Sequence, residues 1–209
     1  MIKQAIIPLA GQGTRLLPLT SVFPKELLPI NGKPCIEYIL DECIKSGIKE
    51  IILIISKRKN IIKKYFYNDV FYKNLIKKKK NDKKLKFEYS KIKKYKKMIK
   101  FVYQNSPRGT GDAVLKCKNL IKSKYFLMLM PDDLIINSNC SASLIKLHNR
   151  YKSPIIASKK VNKKDVSRWG IFDIKKINKK NFIIKDVIEK PNIKSAPSNF
   201  AVIGRYVLP

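Results

Sequence analysis

Residues 5–20 read AIIPLAGQGTRLLPLT, and the whole chain is best understood outward from this run. Its first part, Ala5–Ala10, is apolar and partly β-branched, which predicts a short buried strand. The strand leads directly into Gly11 and Gly13. Glycines let backbone N–H groups approach phosphate oxygens closely, and Arg15 can add charge-assisted hydrogen bonds to the same oxygens. The loop fits neither the dinucleotide fingerprint nor the P-loop, so on its own it leaves a structural turn and a phosphate site equally open.

The segments that follow alternate between helix and strand. Residues 34–46 carry apolar side chains at helical spacing, and Gly47 is placed to end that helix. Residues 50–56 form a second apolar run, so the order is strand, helix, strand. This order predicts a right-handed βαβ unit with parallel strands, whose carboxyl ends usually face the ligand. Further strands are expected at residues 100–103, 125–130, 154–161, 170–174 and 182–188, and a further helix at residues 112–122.

The predicted fold class is therefore α/β, with a Rossmann-like sheet that is mixed, mainly parallel and flanked by helices. The later strands have no clear helices between them, which favours the mixed part of the sheet on that side. No repeat and no linker interrupts the chain, so residues 1–209 are interpreted as a single domain.

The net charge of +31 makes nucleic acid the obvious partner, but the composition argues against it. Lys accounts for 40 of the 46 cationic residues and Arg for only 6, whereas contacts to phosphates and bases favour Arg as well. Lys, Ile and Asn together make up 86 of 209 residues, and all three have AT-rich codons, which indicates mutational bias. Residues 57–100 carry a net charge of +16 and are interpreted as a lysine-rich insertion within the domain.

The cysteines and the apolar runs bear on the compartment. Cys35, Cys43, Cys117 and Cys140 lie far apart and form no C-x-x-C pair, which favours reduced thiols. The apolar runs are much shorter than the ~20 residues needed to cross a bilayer, so no membrane partner is expected. These features predict a cytoplasmic protein.

His148, the single histidine, falls on an apolar helical face, where packing is favoured over catalysis.

Two further motifs add chemistry to the glycine loop. The segment PKELLP, residues 24–29, is held by two prolines and can aim Lys25 at a polyphosphate. The predicted strand at residues 125–130 runs into Pro131, Asp132 and Asp133, so both carboxylates would lie at its carboxyl end.

With these motifs the sequence resembles the sugar-1-phosphate nucleotidylyltransferases over nearly its whole length. The resemblance is carried by AGQGTRLLPLT (10–20), PKELLP (24–29), GKP (32–34), Gln104 with RGTGDAV (108–114), LMPDD (129–133), VSRWG (166–170), VIEKP (187–191) and PSNFAVIGRYVL (197–208). The last two motifs favour the glucose-1-phosphate uridylyltransferase branch over its thymidylyl and guanylyl relatives. The resemblance implies a nucleotide-diphospho-sugar transferase fold, and a reaction of UTP with glucose 1-phosphate that gives UDP-glucose and pyrophosphate.

The resemblance also implies roles for individual residues at the triphosphate. Arg15 and Lys25 match the catalytic cations that stabilise charge on the leaving pyrophosphate. Asp132 matches the metal-binding aspartate, and a hard carboxylate suits Mg²⁺ as the cofactor. The implied nucleotide-binding residues are Ala10, Gly11, Gly13, Thr14, Gln104 and Gly109.

The uracil and the sugar have their own implied contacts. Gln104 and Gly109 match positions that read the uracil, the first through its amide and the second through its backbone. Gly170 and Glu189 match contacts to the glucose hydroxyls, and Lys190 matches the cation that holds the sugar phosphate.

The sequence departs from the family pattern in three places. Ser21 stands where the family usually has Lys, and Asp112 stands where the uridylyl branch usually has His. Relatives continue beyond the position of Pro209, so the family's C-terminal part, with its further active-site wall and subunit contacts, is expected to be lacking. That expectation predicts exposed apolar surface. Assembly into a homo-oligomer is compatible with the resemblance.

Two alternatives to the uridylyl reaction stay open at this point. One is a sugar-1-phosphate nucleotidylyltransferase that uses dTTP or another nucleotide, which a panel of nucleotides and sugar phosphates distinguishes. The other is an inactive, truncated remnant with nonspecific nucleic-acid binding, which predicts steeply salt-dependent binding to any duplex.

Overall fold

The structure is a computed structural model of the chain and describes residues 1–106, 108–178 and 180–209. Its strands are β1 (Gln4–Pro8), β2 (Pro29–Ile30), β3 (Lys33–Pro34), β4 (Glu50–Ile55), β5 (Ile99–Tyr103), β6 (Phe126–Leu129), β7 (Ile155–Lys160), β8 (Gly170–Lys176), β9 (Phe182–Glu189) and β10 (Phe200–Leu208). Its helices are α1 (Cys35–Lys45), α2 (Asn60–Tyr67), α3 (Asp69–Lys78), α4 (Lys83–Met98), α5 (Gly109–Leu115) and α6 (Cys140–Tyr151).

One eight-stranded sheet organises the described residues. Its order is β5-β4-β1-β6-β10-β8-β9, and β7 also pairs with β10. The strands β5, β4, β1 and β6 are parallel to one another, while β10 runs antiparallel to β6, β7 and β8. Within the described sheet, β9 and β10 alone oppose the common direction, since β9 runs antiparallel to β8, and this confirms the predicted mixed, mainly parallel sheet.

The order of the parallel strands fixes a switch point between β1 and β6. The chain leaves β1 through α1 and returns to the sheet at β4 on one side, and it passes from β5 through α5 to β6 on the other. Ligands of open α/β sheets bind outside the strand ends at such a point.

The core lies on both faces of the sheet because side chains alternate along each strand. Ala5 and Ile7 of β1 join the larger cluster, which packs against α1, α2, α4 and α6. Ile6 points the other way and joins a smaller cluster that includes Ala113 of α5 and Cys117, just after that helix. The continuous apolar run of β1 is thus explained by burial on two sides.

The segment at residues 57–100 contributes to this core. Ile62 and Phe66 of α2 and Ile92 and Tyr95 of α4 are buried in the larger cluster, while the lysines of both helices point largely to solvent. The domain interpretation of this segment as an insertion stays a prediction, but the segment is anchored by its own apolar face.

Several element bounds differ from the sequence-based expectation. The helix predicted at residues 112–122 begins at Gly109 and ends at Leu115, and a single 3-10 turn, Lys118–Leu120, follows it. The α-helices of residues 57–100 and strand β10 were not predicted, because lysine-rich amphipathic patterns and a glycine within an apolar run both weaken the local signal. Gly47 ends α1 as predicted, with φ of +81°.

Several apolar side chains of β9 are exposed. Ile183, Ile184, Val187 and Ile188 are all exposed there. No helix of the described residues is long and apolar enough to cross a membrane.

A buried ion pair ties the sheet to the turn after β6. Arg205 of β10 is fully buried and binds the carboxylate of Glu42 on α1 through Nε and Nη2 at 2.9–3.1 Å. The same guanidinium donates to the backbone oxygens of Met130 (3.1 Å) and Asp133 (2.7 Å). Glu42 also accepts the backbone N–H and hydroxyl of Ser141. This network holds the turn that contains Asp132.

We predict that Arg205→Met destabilises the protein by about 3–5 kcal/mol, because it leaves the Glu42 carboxylate buried without its cation. Urea unfolding followed by circular dichroism measures the change. The control is Arg150→Met, which removes an exposed guanidinium and should change the free energy of unfolding by less than about 0.5 kcal/mol. Equal stability losses in the two variants would contradict the prediction.

Candidate active site

The carboxyl ends of β1, β5 and β6 open onto one cleft of about 240 Å³, at the switch point of the sheet. Its walls come from the loop after β1, the segment around Lys25, the start of α5 and the turn after β6. The lining residues are Pro8, Ala10, Gly11, Lys25, Glu26, Gln104, Gly109, Thr110, Ala113, Met130, Pro131 and Asp132. Six residues singled out from the sequence are therefore brought together: Ala10, Gly11, Lys25, Gln104, Gly109 and Asp132.

The glycine loop after β1 contributes its first part to the cleft. Ala10 and Gly11 line it, and a Cβ added to Gly11 would meet no atom within 4 Å, so the space above this backbone is open. Gly13 adopts φ of +73° and its carbonyl accepts a hydrogen bond from Thr20 Oγ1 at 2.8 Å. Arg15 lies beyond the lining, exposed on the 3-10 turn Thr14–Leu16.

Lys25 faces the cleft from a segment held by a second buried ion pair. The neighbouring Glu26 is 1% exposed, and both its carboxylate oxygens accept from Lys59 Nζ at 2.8 Å. Lys59 Nζ also donates to the carbonyl of Leu9 at 2.7 Å, which links the segment to the end of β1. Burial lowers the pKa of Lys59, although the ion pair with Glu26 opposes this. The pair fixes the backbone from which Lys25 reaches out.

The two acids after β6 have different surroundings. Asp133 Oδ2 accepts the backbone N–H of Gly204 at 2.7 Å, and Gly204 in turn accepts from the N–H of Met130. Asp132 instead lines the cleft with its side chain half exposed, and its Oδ2 lies 3.1 Å from Lys25 Nζ. Asp133 therefore joins β10 to the turn, whereas Asp132 is available to a ligand.

Gln104 and Gly109 meet on the other wall. Gln104 follows β5, is 5% exposed, and donates through Nε2 to the Gly109 carbonyl at 3.1 Å and to Asp112 Oδ2 at 2.7 Å. Gly109 has φ of +90°, a conformation that favours glycine, and an added Cβ there would face open space.

The residues expected to hold the sugar form a separate group at the β8–β9 pairing. Gly170 lies opposite Glu189 in the register, and a Cβ on Gly170 would approach Glu189 Oε2 to 3.1 Å. Lys190 follows with φ of +48°, its N–H bonded to the Trp169 carbonyl and its Nζ 3.6 Å from Glu189 Oε1. Both side chains are exposed, and none of these residues lines the cleft.

The four cysteines and His148 lie in surroundings that indicate a packing role and not catalysis. Burial raises the pKa of Cys117 to about 11 and raises the pKa of Cys35, Cys43 and Cys140 as well, so all four free thiols are protonated near neutral pH. His148 is buried against the Tyr125 ring, and its Nδ1 lies 2.8 Å from the Ser153 carbonyl. Packing is its role, as the sequence predicted.

The residues that support the cleft from behind carry no clear signal in the sequence. Glu26, Glu42 and Arg205 lie within or near recognisable motifs, but a charged residue in a sequence is more often exposed than buried. Lys59 is one of many lysines in a basic segment, so nothing in its local sequence distinguishes it.

The sequence matches a known protein family over nearly its whole length. Residues 4–209 match the family described as nucleotidyl transferase. The chain belongs to the nucleotidyl transferase family.

Within this family, the chain is similar to UTP–glucose-1-phosphate uridylyltransferases. UTP–glucose-1-phosphate uridylyltransferases of Mycoplasma pneumoniae and Streptococcus pyogenes are 35% and 38% identical to this chain. Each alignment covers 99% of this chain and 72% or 69% of the relative, respectively. A UTP-bound enzyme of the same kind from Acinetobacter baumannii superposes with a TM-score of 0.92 at 33% identity, over 100% of this chain and 75% of the other. A UDP-glucose pyrophosphorylase complexed with UDP-glucose gives 0.82, also at 33% identity.

The donor set of the cleft fits a magnesium ion shared with a substrate. Among the described residues, no three His, Cys, Asp or Glu side chains converge to form a cage for a metal. Mg²⁺ does not need one, because it is commonly held by one or two carboxylates together with substrate phosphates and water. Asp132 supplies one half-exposed carboxylate at the cleft, which suits this mode of binding.

We predict that Gly204→Ala destabilises the protein by about 1–3 kcal/mol, because crowding in a packed core carries a cost of this size. An added Cβ would lie 2.4 Å from Met130 Cβ and 2.7 Å from Asp133 Oδ2. The matched control is Gly111→Ala in α5, where an added Cβ meets no atom within 4 Å and alanine favours the helix. Thermal unfolding of both variants tests the difference; a Gly204→Ala variant as stable as Gly111→Ala would contradict it.

Proposed function

We propose that this chain transfers the uridylyl group of UTP to glucose 1-phosphate, giving UDP-glucose and pyrophosphate. The observation that carries the proposal is the cleft at the switch point, where Gly11, Lys25, Gln104, Gly109 and Asp132 converge. The identity of the substrates is inferred from the uridylyltransferases named above, which match nearly all of this chain.

The proposed reaction is an in-line displacement at phosphorus. A phosphate oxygen of glucose 1-phosphate bonds to the α-phosphorus of UTP, and the bond from that phosphorus to the bridging oxygen breaks, so that pyrophosphate leaves with the electron pair. Such chemistry depends on positioning and on charge stabilisation more than on a covalent intermediate.

Lys25 is the residue best placed to stabilise the leaving group. Its ammonium reaches the cleft from a backbone fixed by the Glu26–Lys59 ion pair. Lys25 pairs with Asp132 in the structure, and a triphosphate would give the ammonium a more highly charged partner. Arg15, on the exposed turn outside the cleft, is proposed to add a second cation at the triphosphate.

Asp132 is proposed to hold Mg²⁺ together with the phosphates of UTP. The bound ion neutralises phosphate charge and helps to orient the triphosphate. Separation of Asp132 from Lys25 then leaves the carboxylate for the cation and the ammonium for the phosphates, which makes the two residues partners in one binding event.

The remaining contacts divide between nucleotide and sugar. The backbone of Ala10, Gly11, Gly13 and Thr14 is proposed to approach the phosphates, and Gln104 and Gly109 to contact the uracil. Gly170 and Glu189 are proposed to hold the glucose hydroxyls and Lys190 the sugar phosphate. The proposed compartment is the cytoplasm, for which four free thiols are the support. Assembly into a homo-oligomer stays a prediction.

We predict that Asp132→Asn abolishes pyrophosphate release from UTP, glucose 1-phosphate and Mg²⁺, and that Lys25→Met lowers kcat about 10²–10³-fold, as loss of a cation at a developing charge does. A coupled pyrophosphate assay measures both. Controls are Asp186→Asn and Lys45→Met, which remove the same charges from exposed positions away from the cleft. Wild-type activity in Asp132→Asn would remove the metal assignment, and product formation only with dTTP would replace the uridylyl reaction.

We predict that Glu189→Gln raises KM for glucose 1-phosphate about 10-fold or more, because hydrogen bonds from sugar hydroxyls to a carboxylate are stronger than those to an amide. The dissociation constant of UTP, measured by calorimetry, should stay at the wild-type value. The control is Lys185→Gln, an exposed change on the same strand. An increase in the UTP dissociation constant without a change in KM for the sugar would place Glu189 at the nucleotide instead.

A further inference from the structure

Asp112 makes the shortest contact to the Gln104 side chain in the described structure. It lies on α5, and its Oδ2 accepts from Gln104 Nε2 at 2.7 Å. The Gly109 carbonyl accepts from the same nitrogen at 3.1 Å. Neither the proposed reaction nor the resemblance gives Asp112 a role, and the uridylyl branch usually has His at this position.

The two contacts fix which way the Gln104 amide points. A primary amide has two N–H donors on nitrogen and an acceptor on oxygen, whereas a carboxylate and a carbonyl only accept. Rotation of the amide by 180° would place Oε1 against two acceptor oxygens, so the orientation with Nε2 toward Asp112 and Gly109 is the one that the network permits. Both donors of the amide are consumed within the protein.

The carbonyl oxygen is then the group that Gln104 offers to a ligand. Among the described residues no hydrogen-bond donor reaches Gln104 Oε1, and the atom keeps some contact with solvent although the residue is only 5% exposed. Gln104 lines the cleft, and its backbone is held by a hydrogen bond from its N–H to the Ile55 carbonyl at 2.9 Å. An acceptor is thus presented from a fixed position.

We propose that Asp112 is a positioning residue that makes Gln104 an acceptor toward the nucleobase and thereby selects UTP over CTP. This inference rests on the proposed function, in which Gln104 contacts the base. Uracil carries an N–H donor at N3, which matches Oε1, whereas N3 of cytosine is an acceptor and is repelled by it. Thymine has the same N3–H as uracil, so this arrangement does not separate UTP from dTTP.

The carboxylate matters because an amide at position 112 removes the shorter of the two constraints and leaves only the longer contact to the Gly109 carbonyl. Asn can donate as well as accept, so Asp112→Asn allows the Gln104 amide to rotate and to present its NH₂ to cytosine N3. Lys116 is the other group beside Asp112, but its Nζ lies 3.9 Å from Oδ1, on the carboxylate oxygen that Gln104 does not use. Removal of Lys116 therefore leaves the contact to Gln104 in place.

The test compares UTP with CTP in wild type, Asp112→Asn and Lys116→Met. We expect the ratio of kcat/KM for UTP to that for CTP to fall about tenfold in Asp112→Asn, the size of one hydrogen bond, and to stay unchanged in Lys116→Met. Asp112→Glu keeps an acceptor-only group and should retain most of the selectivity. Dissociation constants of UTP and CTP with Mg²⁺, measured by calorimetry, give the same ratio without turnover. Asp112→Ser replaces Asp112→Asn if the latter does not fold.

The outcomes separate this inference from the proposed function. A folded, active Asp112→Asn variant with an unchanged ratio, or one that loses activity equally with both nucleotides, overturns the role of Asp112 and leaves the uridylyl reaction standing. A wild-type chain that binds nucleotides but releases no pyrophosphate overturns the proposed function, and the ratio of dissociation constants then decides on Asp112. Equal binding of UTP and CTP by wild type, or binding of neither, overturns the inference directly.

Discussion

The buried ion pair between Arg205 and Glu42 is the interaction on which the geometry of the cleft depends. It joins the strand β10, the helix α1 and the turn after β6, three parts that are far apart in the sequence. Because an isolated buried charge is costly, either partner alone would favour unfolding, and only the complete network is stable. The position of Asp132 is therefore set by residues that never touch the ligand.

A second buried ion pair supports the cleft itself, and a more exposed pair lies beside it. Glu26 and Lys59 form a buried pair, and directly in front of them Lys25 and Asp132 form a partly exposed one. The buried pair is expected to stay intact, because both carboxylate oxygens of Glu26 already accept hydrogen bonds from Lys59. The exposed pair can exchange, because water and phosphates compete for both members. Two adjacent residues thus have different roles: Glu26 fixes the backbone, and Lys25 makes a contact that a ligand can replace.

The sequence was sufficient for the parallel half of the fold and for most of the cleft. Strand β1 and helix α1 have strong local patterns, and Gly11, Lys25 and Asp132 fall at strand ends or in proline-bounded segments that a parallel sheet brings together. Arg205 and Glu26 were beyond such reasoning, because their burial depends on partners more than 30 positions away. The start of α5 at Gly109 was missed for a related reason, since glycine is a poor helix former in isolation.

Asp132 and Asp133 are adjacent and chemically identical, yet Asp132 faces the cleft and Asp133 binds the backbone of β10. The difference comes from Gly204, whose close approach to Met130 leaves its N–H facing one carboxylate only.

The amphipathic helices of residues 57–100 separate the charge of this protein from its fold. Their inner faces carry the aromatic and aliphatic side chains that the core requires, such as Phe66, Ile92 and Tyr95, whereas their outer faces carry lysines in contact with water. The core depends on the first set, whereas most of the second set lies outside it. The outer face can therefore vary in its amino acids without disturbing the core, so a net charge of +31 is compatible with an ordinary packed α/β fold.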